Sequence, residues 1–233
     1  QLRMIEGVSR PAIAGFFPNS AGQSCVLDLG ANIECDAKNL IQFAVMGSAF
    51  YRDIYGVGTP SVGLLNVGEE DQKGFDYLRE AAKVLNLERL GVNYQGFVEG
   101  SDITNGSVDV IVTDGFTGNA ALKTAEGVAN LFQQSMRQAF SANLMTKIGY
   151  LLARGGVANL RAKLDPRNYN GAVFLGLNGI SVKSHGGTDA IGYANAINVA
   201  VNMVKQGFIP EVTATIARAN QILAEEKTLS DDE

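Results

Sequence analysis

Four polar turns that contain glycine hold the residues of this sequence best suited to chemistry. They read DLGAN (28–32), LNVGEE (65–70), DGFTGN (114–119) and KSHGGTDA (183–190), and each follows a short apolar segment. Glycine lets backbone amides approach a ligand closely, and successive amides in a turn can form a concavity that binds anions. Such turns could therefore bind a ligand, and the last of them suits phosphate better than a neutral molecule.

The last turn contains the only histidine of the chain, His185. Lys183, two residues earlier, would point to the same side of a strand. Gly186 and Gly187 follow directly, just before a predicted helix whose N-terminus favours anions. A single histidine is more often structural or exposed than catalytic, but this combination predicts a phosphate-binding turn.

The turn at 114–119 stands between the apolar run VDVIVT and a long predicted helix, so its amides also suit an anion. Asp114, Thr117 and Asn119 are its polar candidates, and Lys123 is near enough along the helix to reach back. A second interpretation stays open, because Asp and Thr are equally typical of a helix cap and a lone helical lysine is usually solvated.

The other two turns offer weaker candidates. Asn66 and Gly68 follow one predicted strand, and the two acids after them are accounted for by the dipole of the next helix. Asn32 follows another strand, where Asp and Asn commonly form turns. Together the four turns indicate a ligand site more strongly than each one alone, because open α/β sheets bind ligands at the carboxyl ends of their strands.

Common cofactor and catalytic motifs are absent from the sequence. It has no GxGxxG or GxxxxGK[ST] loop for a nucleotide, no GxSxG elbow for a serine hydrolase, and no Cys/His cluster with zinc spacing. We therefore expect neither a cofactor nor a metal. The net charge of −5 argues against nucleic acid as a partner, because phosphate backbones require a basic surface.

Strand-length apolar segments alternate with stretches of helical periodicity, which predicts an α/β fold with a mainly parallel sheet. With 46% hydrophobic residues and no visible repeat or linker, residues 1–233 are expected to form one domain. The predicted strands are 12–17, 25–29, 61–67, 92–98, 108–113, 172–177 and 180–183. The predicted helices are 37–55, 71–87, 117–140, 189–206 and 211–225.

Residues 127–164 contain no acidic residue but five basic ones, and are expected to form a helical arm. Its middle, LMTKIGYLLARGG, is rich in large apolar side chains. Such a pattern suits a membrane interface or an acidic protein partner, and equally an arm buried in a homodimer. The residues predicted to face the membrane or partner are Lys147, Ile148, Leu151, Leu152 and Arg154.

The beginning of the chain shows neither a secretory signal nor an apolar run long enough to span a membrane. With only two cysteines, a reducing compartment is expected, and we predict a cytoplasmic location. Because the chain starts at Gln1 in what looks like the end of a helix, it is expected to be part of a longer polypeptide.

Taken in order, these motifs resemble the PlsX family of bacterial phosphate acyltransferases. The matching stretches are DLGAN, GLLNVGEEDQKG, VDVIVTDGFTGNAALKTAEG and NYNGAVFLGLNGISVKSHGGTDA, within about residues 11–219. The resemblance implies a three-layer, Rossmann-like sheet similar to those of phosphotransacetylases and isocitrate-type dehydrogenases. It also implies synthesis of an acyl phosphate from inorganic phosphate and a long-chain acyl carrier protein. Family members carry a further N-terminal portion that borders the active site and that this sequence lacks.

The resemblance further implies a homodimer that associates peripherally with the cytoplasmic membrane, with acyl carrier protein and a downstream glycerol-3-phosphate acyltransferase as partners. Two alternatives stay open. One is a phosphotransacetylase-like enzyme that uses coenzyme A and short acyl groups, which would have little need of an exposed basic, apolar arm. The other is a non-catalytic scaffold that binds acyl carrier protein or the membrane.

Phosphate needs no strong base to attack a thioester, so such an enzyme must mainly supply position and charge stabilisation. We hypothesise that Lys183, His185 and the amides of Gly186 and Gly187 form a phosphate cradle. Polar donors would come from Asn119, as a further catalytic residue, and from the other turns. The remaining substrate-binding candidates are Asn32, Asn66, Gly68, Asp114, Thr117 and Lys123.

Overall fold

The computed structural model describes residues 2–231, which fold around one seven-stranded sheet of order β4-β3-β5-β2-β1-β6-β7. The strands are β1 (Ala12–Pro18), β2 (Gln23–Leu27), β3 (Ser61–Leu65), β4 (Asn93–Val98), β5 (Val110–Val112), β6 (Ala172–Leu175) and β7 (Val182–Lys183). The helices are α1 (Ala37–Tyr55), α2 (Asp76–Leu85), α3 (Asp102–Asn105), α4 (Gly115–Ser141), α5 (Leu144–Lys163), α6 (Ala190–Gln206) and α7 (Phe208–Asp231). Short 3-10 helices lie at Glu88–Leu90 and Pro166–Tyr169.

The α/β class and all seven predicted strands are confirmed, but the sheet is mixed rather than mainly parallel. Strands β4, β3, β5 and β2 are parallel to one another. In contrast, β1 pairs antiparallel with β2, β6 with β1, and β7 with β6. The short loops at 19–22 and 176–181 explain the first and last of these pairs, because a parallel connection needs a crossover of a dozen residues or more, whereas β6 and β1 are far apart in the chain.

Strand direction divides the polar turns between two edges of the sheet. Strands β2, β3 and β5 end at one edge, which we call the upper edge. The register aligns Leu27 with Ala14, Ala14 with Val173, and Val173 with Val182, so that β7 runs in the opposite direction to β2. The chain therefore leaves β7 at the opposite, lower edge.

The main core lies on one face of the sheet, under α1. This helix begins after Asp36, whose side chain caps it, and ends at Gly56 in the left-handed conformation with φ +67°. Gly47 lets the helix approach β2 and β5, since a Cβ there would lie 2.9 Å from side-chain atoms of Leu27 and Val110. The bounds predicted for this helix, 37–55, are those observed. Helices α2, α6 and α7 pack around α1 and complete this layer.

The other face carries a smaller apolar cluster, so the fold has three layers of unequal thickness. Alternate residues of each strand point to opposite faces. Val26 and Ile111 belong to the smaller cluster, whereas Leu27 and Val110 belong to the main core. The first turns of α4 cover this cluster through Leu122.

Helices α4 and α5 form the predicted arm at 127–164. Phe140 and Tyr150 hold the two helices together near the tip, with ring centroids 5.3 Å apart. Along α5, Val157 is the buried side chain. The arm therefore projects from the body of this chain, with most of its apolar side chains exposed.

A small charged cluster joins the end of α1 to the beginning of α7. Arg52 forms an ion pair with Glu211. The neighbouring Asp53 has a buried carboxylate oxygen, Oδ2, with no hydrogen-bond partner among the described atoms. Burial, followed by the negative charge of Glu211, raises the pKa of Asp53 to about 6. The folded state therefore favours the protonated form of Asp53, and its stability is expected to fall as the pH rises through about 6.

We expect Asp53→Asn to stabilise the protein above pH 6, because the amide stays neutral where the wild-type carboxyl ionises. An increase of about 1 kcal/mol in the free energy of unfolding is expected at pH 8, after allowance for solvent screening. The difference should vanish near pH 4. Urea unfolding of both proteins from pH 4 to 8 measures it, with Asp71→Asn at an exposed position as the control. A difference that does not change with pH would contradict the assignment.

Candidate functional site

The turn that follows β7 is the best candidate site at the lower edge. The side chain of His185 is exposed, and its Nδ1 accepts a hydrogen bond of 3.2 Å from the amide of Gly187. The neutral imidazole then carries its proton on Nε2, where it can donate to a ligand. Gly187 thus orients the histidine, while the amide of Gly186 remains as a candidate ligand donor.

Two cavities border His185. One is open, with a volume of about 490 Å³, and is bounded by the turn and by Tyr193 of α6. The other, of about 210 Å³, extends from His185 to Arg167 and Asn170. Lys183 is exposed but lies outside the lining of both cavities, so its predicted role beside His185 requires its long side chain to reach over the turn.

Two charged residues fix the beginning of α6 beside this turn. Asp189 caps the helix and accepts hydrogen bonds of 3.1 Å from the amides of Ile191 and Gly192. Arg167 donates to Asp189 at 3.0 Å and to Asp165 at 2.9 Å. The amide of Gly192 and the guanidinium of Arg167 lower the pKa of Asp189, which therefore stays ionised at neutral pH.

Sequence reasoning missed Arg167, Asn170 and Tyr193 as neighbours of His185. The first two belong to the stretch NYNG and the residues before it, far from the KSHGG turn in the chain. They meet the turn because β6 and β7 pair as a hairpin, with Ala172 opposite Lys183. The only signal in the sequence was that NYNG immediately precedes a strand that would pair locally.

The turns at 28–32 and 114–119 meet at the upper edge, but the side chain of Asn32 is used structurally. Asp28 is fully buried and accepts from the amides of Ile13 and Asn32. The Nδ2 of Asn32 donates to Asp28 at 2.8 Å and to the carbonyl of Pro11 at 2.7 Å. Both N–H groups of the Asn32 side chain are therefore engaged within the protein, which opposes its predicted role as a donor to substrate.

Asp114 and Thr117 also bond to each other. Asp114 is the N-cap of α4, and its carboxylate accepts from both the amide and the hydroxyl of Thr117 at 2.8 Å. The capping interpretation is thus the one observed. Lys123 pairs with Glu126 at 2.8 Å on the exposed face of α4 and does not reach back to the turn. Asn119 is exposed beside Gly30.

The surroundings of Asn66 and Gly68 oppose phosphate binding. Asn66 closes its own loop, because its Nδ2 donates to the carbonyl of Lys73. The adjacent cavity is lined by Glu69, Glu70, Glu99 and Lys73, with Lys73 already paired to Glu70 at 2.7 Å. Three carboxylates around one ammonium group repel an anion.

The polar donors predicted to act with the His185 cradle do not lie beside it within one chain. His185 and Asn32 are separated by three strand spacings across the sheet and by several residues along it, which amounts to roughly 20 Å. The prediction failed because it assumed that every strand ends at the same edge. Of the two groups, the His185 turn is the one that offers an exposed lysine, an imidazole donor and a glycine amide.

The fold is of the phosphotransacetylase type. It superimposes on a EutD phosphotransacetylase from Staphylococcus aureus with a TM-score of 0.53 at 18% identity, covering 86% of this chain and 56% of the other. A phosphotransacetylase from Streptococcus pyogenes gives a TM-score of 0.51 at 16% identity, covering 88% and 57%. At these identities the likeness concerns the fold alone, and it confirms the predicted fold class.

The sequence places the chain more closely. A family model described as "Fatty acid synthesis protein" matches residues 1–211. A protein named phosphate acyltransferase from Rhodospirillum centenum is 56% identical over 222 residues, which cover 95% of this chain and 62% of that protein. Another of that name, from Paramagnetospirillum magneticum, is 55% identical over 89% of this chain and 59% of its own length. The chain belongs to the family that this model describes, and the predicted resemblance to the PlsX acyltransferases is confirmed.

The close packing of α4 against the end of β2 gives a prediction about stability. A Cβ on Gly118 would lie 1.9 Å from the backbone carbonyl oxygen of Asp28, which cannot move aside cheaply. We expect Gly118→Ala to lower the free energy of unfolding by about 1–3 kcal/mol. Gly127→Ala in the same helix is the matched control. No described atom lies within 4 Å of its added methyl group, so a gain of about 0.5–1 kcal/mol is expected.

Both variants can be measured by urea denaturation. Equal free energies of unfolding for the two variants would show that Gly118 of α4 is not in close contact with the carbonyl of Asp28 after β2.

Proposed function

We propose that this chain belongs to an enzyme that converts a long-chain acyl carrier protein and inorganic phosphate into an acyl phosphate and free acyl carrier protein. The names and high identity of its relatives support this proposal. The observation that carries it is the His185 turn, where an imidazole donor and a glycine amide border an open cavity and an exposed lysine lies two residues before the histidine. A cytoplasmic location follows from the same proposal.

In this reaction a phosphate oxygen attacks the thioester carbonyl, the C–O bond forms, and the C–S bond breaks. The leaving thiolate has a pKa near 8.5 and takes a proton from solvent or from a nearby donor. His185 would donate from Nε2 to a phosphate oxygen, Lys183 would add positive charge, and the amide of Gly186 would complete the cradle. Asn119, at the upper edge, would have to act on a different part of the substrate or in another protomer.

We expect His185→Ala in the intact protein to lower acyl-phosphate formation by about two orders of magnitude, because a positioned donor is lost. His185→Gln, which restores an N–H donor, should recover part of the rate. The measurement is the acyl phosphate trapped with hydroxylamine after incubation with a long-chain acyl carrier protein and phosphate. Lys205→Ala, an exposed lysine at the far end of α6, is the control.

Unchanged turnover in His185→Ala would remove His185 from the mechanism. The same assay with acetyl-coenzyme A tests the phosphotransacetylase-like alternative, which the shared fold leaves open. Binding of acyl carrier protein without any acyl phosphate would favour the scaffold.

We also propose that the arm contacts the anionic membrane surface or acyl carrier protein with its tip, and a second copy of the chain with its helices. Leu152 is 83% exposed and Leu151 59% exposed, next to Arg154. Ile148, beside the exposed Lys147, continues this apolar surface towards the tip. Basic and apolar groups together favour an anionic partner. No helix among residues 2–231 is both long and apolar enough to cross a bilayer.

Acyl phosphates hydrolyse readily, so an enzyme that consumes the product at the membrane, such as a glycerol-3-phosphate acyltransferase, is proposed as a functional neighbour.

Replacing both Leu151 and Leu152 by Glu should weaken binding to vesicles that contain anionic phospholipid by about tenfold or more, since apolar area is lost and charge is added. Gln133→Glu with Gln134→Glu is the matched control, because it adds the same charge at exposed positions of α4 without removing apolar area. Co-sedimentation with vesicles measures both. Unaffected binding in the Leu151/Leu152 variant would restrict the arm to contacts between protein chains.

A further inference from the structure

We propose that Asn170 is a positioning residue that holds the His185 turn in its phosphate-binding shape. Asn170 lies at the end of the 3-10 helix Pro166–Tyr169, just before β6, and sequence reasoning gave it no role. This inference rests on the proposed function, because it concerns the geometry of the same site.

The side chain of Asn170 bonds to three places around the turn. Its Oδ1 accepts from the backbone amide of His185 at 2.8 Å. Its Nδ2 donates to the hydroxyl of Ser184 at 2.9 Å and to the carbonyl of Gly192 at 2.7 Å. One amide group therefore connects the exit from β7, the histidine itself and the first turn of α6.

Asn170 cannot act as a direct ligand while these bonds are made. It is buried, and its acceptor oxygen and both of its N–H groups have partners. Its effect on a ligand must therefore pass through the backbone of the turn. This separates it from His185 and Gly186, which are exposed to the cavity.

The bonds of Asn170 matter because little else fixes this part of the turn. His185, Gly186 and Gly187 are exposed, and a Cβ on Gly186 would meet no described atom within 4 Å. Within the turn, the amide of Thr188 donates to the carbonyl of His185 at 3.1 Å, but the backbone amide of His185 is held by the side chain of Asn170. Arg167 also donates to Asp189, the cap residue of α6, but this hydrogen bond does not involve His185 itself.

Removal of the Asn170 amide would leave the backbone amide of His185 and the hydroxyl of Ser184 without this partner, and would remove one donor from the carbonyl of Gly192 in α6. A buried polar group without a hydrogen-bond partner is unfavourable, so the turn would change its conformation until these groups bond to water or to other protein groups. A displacement of about 1 Å in a positioning group can cost up to about 100-fold in rate.

The test compares Asn170→Ala with Asn168→Ala in the intact protein. Asn168 is the matched control, because it lies in the same 3-10 helix and donates to the carbonyl of Ala162 at the end of the arm, not to the turn. We expect Asn170→Ala to raise the KM for phosphate by about tenfold, to lower kcat by up to about 100-fold, and to speed hydrogen exchange of the His185 amide. Asn168→Ala should change none of these.

A purely structural role would appear as lower stability with an unchanged KM for phosphate, and would overturn the inference. If Asn170→Ala does not fold, Asn170→Ser keeps a short polar side chain, and the same three quantities are measured on it.

Titration of the amides of Gly186 and Gly187 with inorganic phosphate, followed by NMR, separates the two hypotheses. No phosphate-induced change in the wild type rejects the proposed phosphate site, and this inference with it. Binding in the wild type that Asn170→Ala leaves unchanged rejects the positioning role alone. Weaker binding in Asn170→Ala, with normal binding in Asn168→Ala, supports it.

Discussion

The antiparallel pairing of β1 with β2 is the constraint on which the rest of the structure depends. The short loop between them forces the chain to reverse. Strand β6 pairs antiparallel with β1 on its other side, and the short loop between β6 and β7 reverses the chain again. The polar turns are consequently divided between the two edges of one sheet. Any site built by this chain must use one edge or obtain its other half from a different polypeptide region or protomer.

The two edges differ in what their side chains can offer to a ligand. At the upper edge, the hydrogen bonds of three polar side chains stabilise the turns themselves, namely those of Asp28, Asn32 and Asp114. The cavity beside the turn at 65–70 is lined mainly by carboxylates. At the lower edge, His185 remains exposed on a turn whose support comes from behind, through Asn170. A buried polar group that shapes a turn and an exposed one that meets a ligand are the two parts of a preorganised site.

The ends of a helix could be predicted from the sequence where neighbouring residues mark them. Helix α1 was predicted with its observed bounds, because an Asp cap and a terminal Gly mark its ends. Helix α2 begins later than predicted, at Asp76, because the loop before it closes around Gly74 with φ +83°. The role of Asn170 was missed, since its three bonds connect segments whose proximity depends on strand pairing.

By itself, the sequence determined the α/β class, the seven strands, the basic arm and the family, because periodicity, composition and motifs are properties of neighbouring residues. It could not determine that β6 pairs with β1, and therefore not which turns share an edge. Only the tertiary structure decided that the side chain of Asn32 is structural and that Asn170 reaches His185. The physical reason is that short loops mark only the β1–β2 and β6–β7 reversals, whereas the pairing of β6 with β1 joins segments far apart in the chain, which no local pattern encodes.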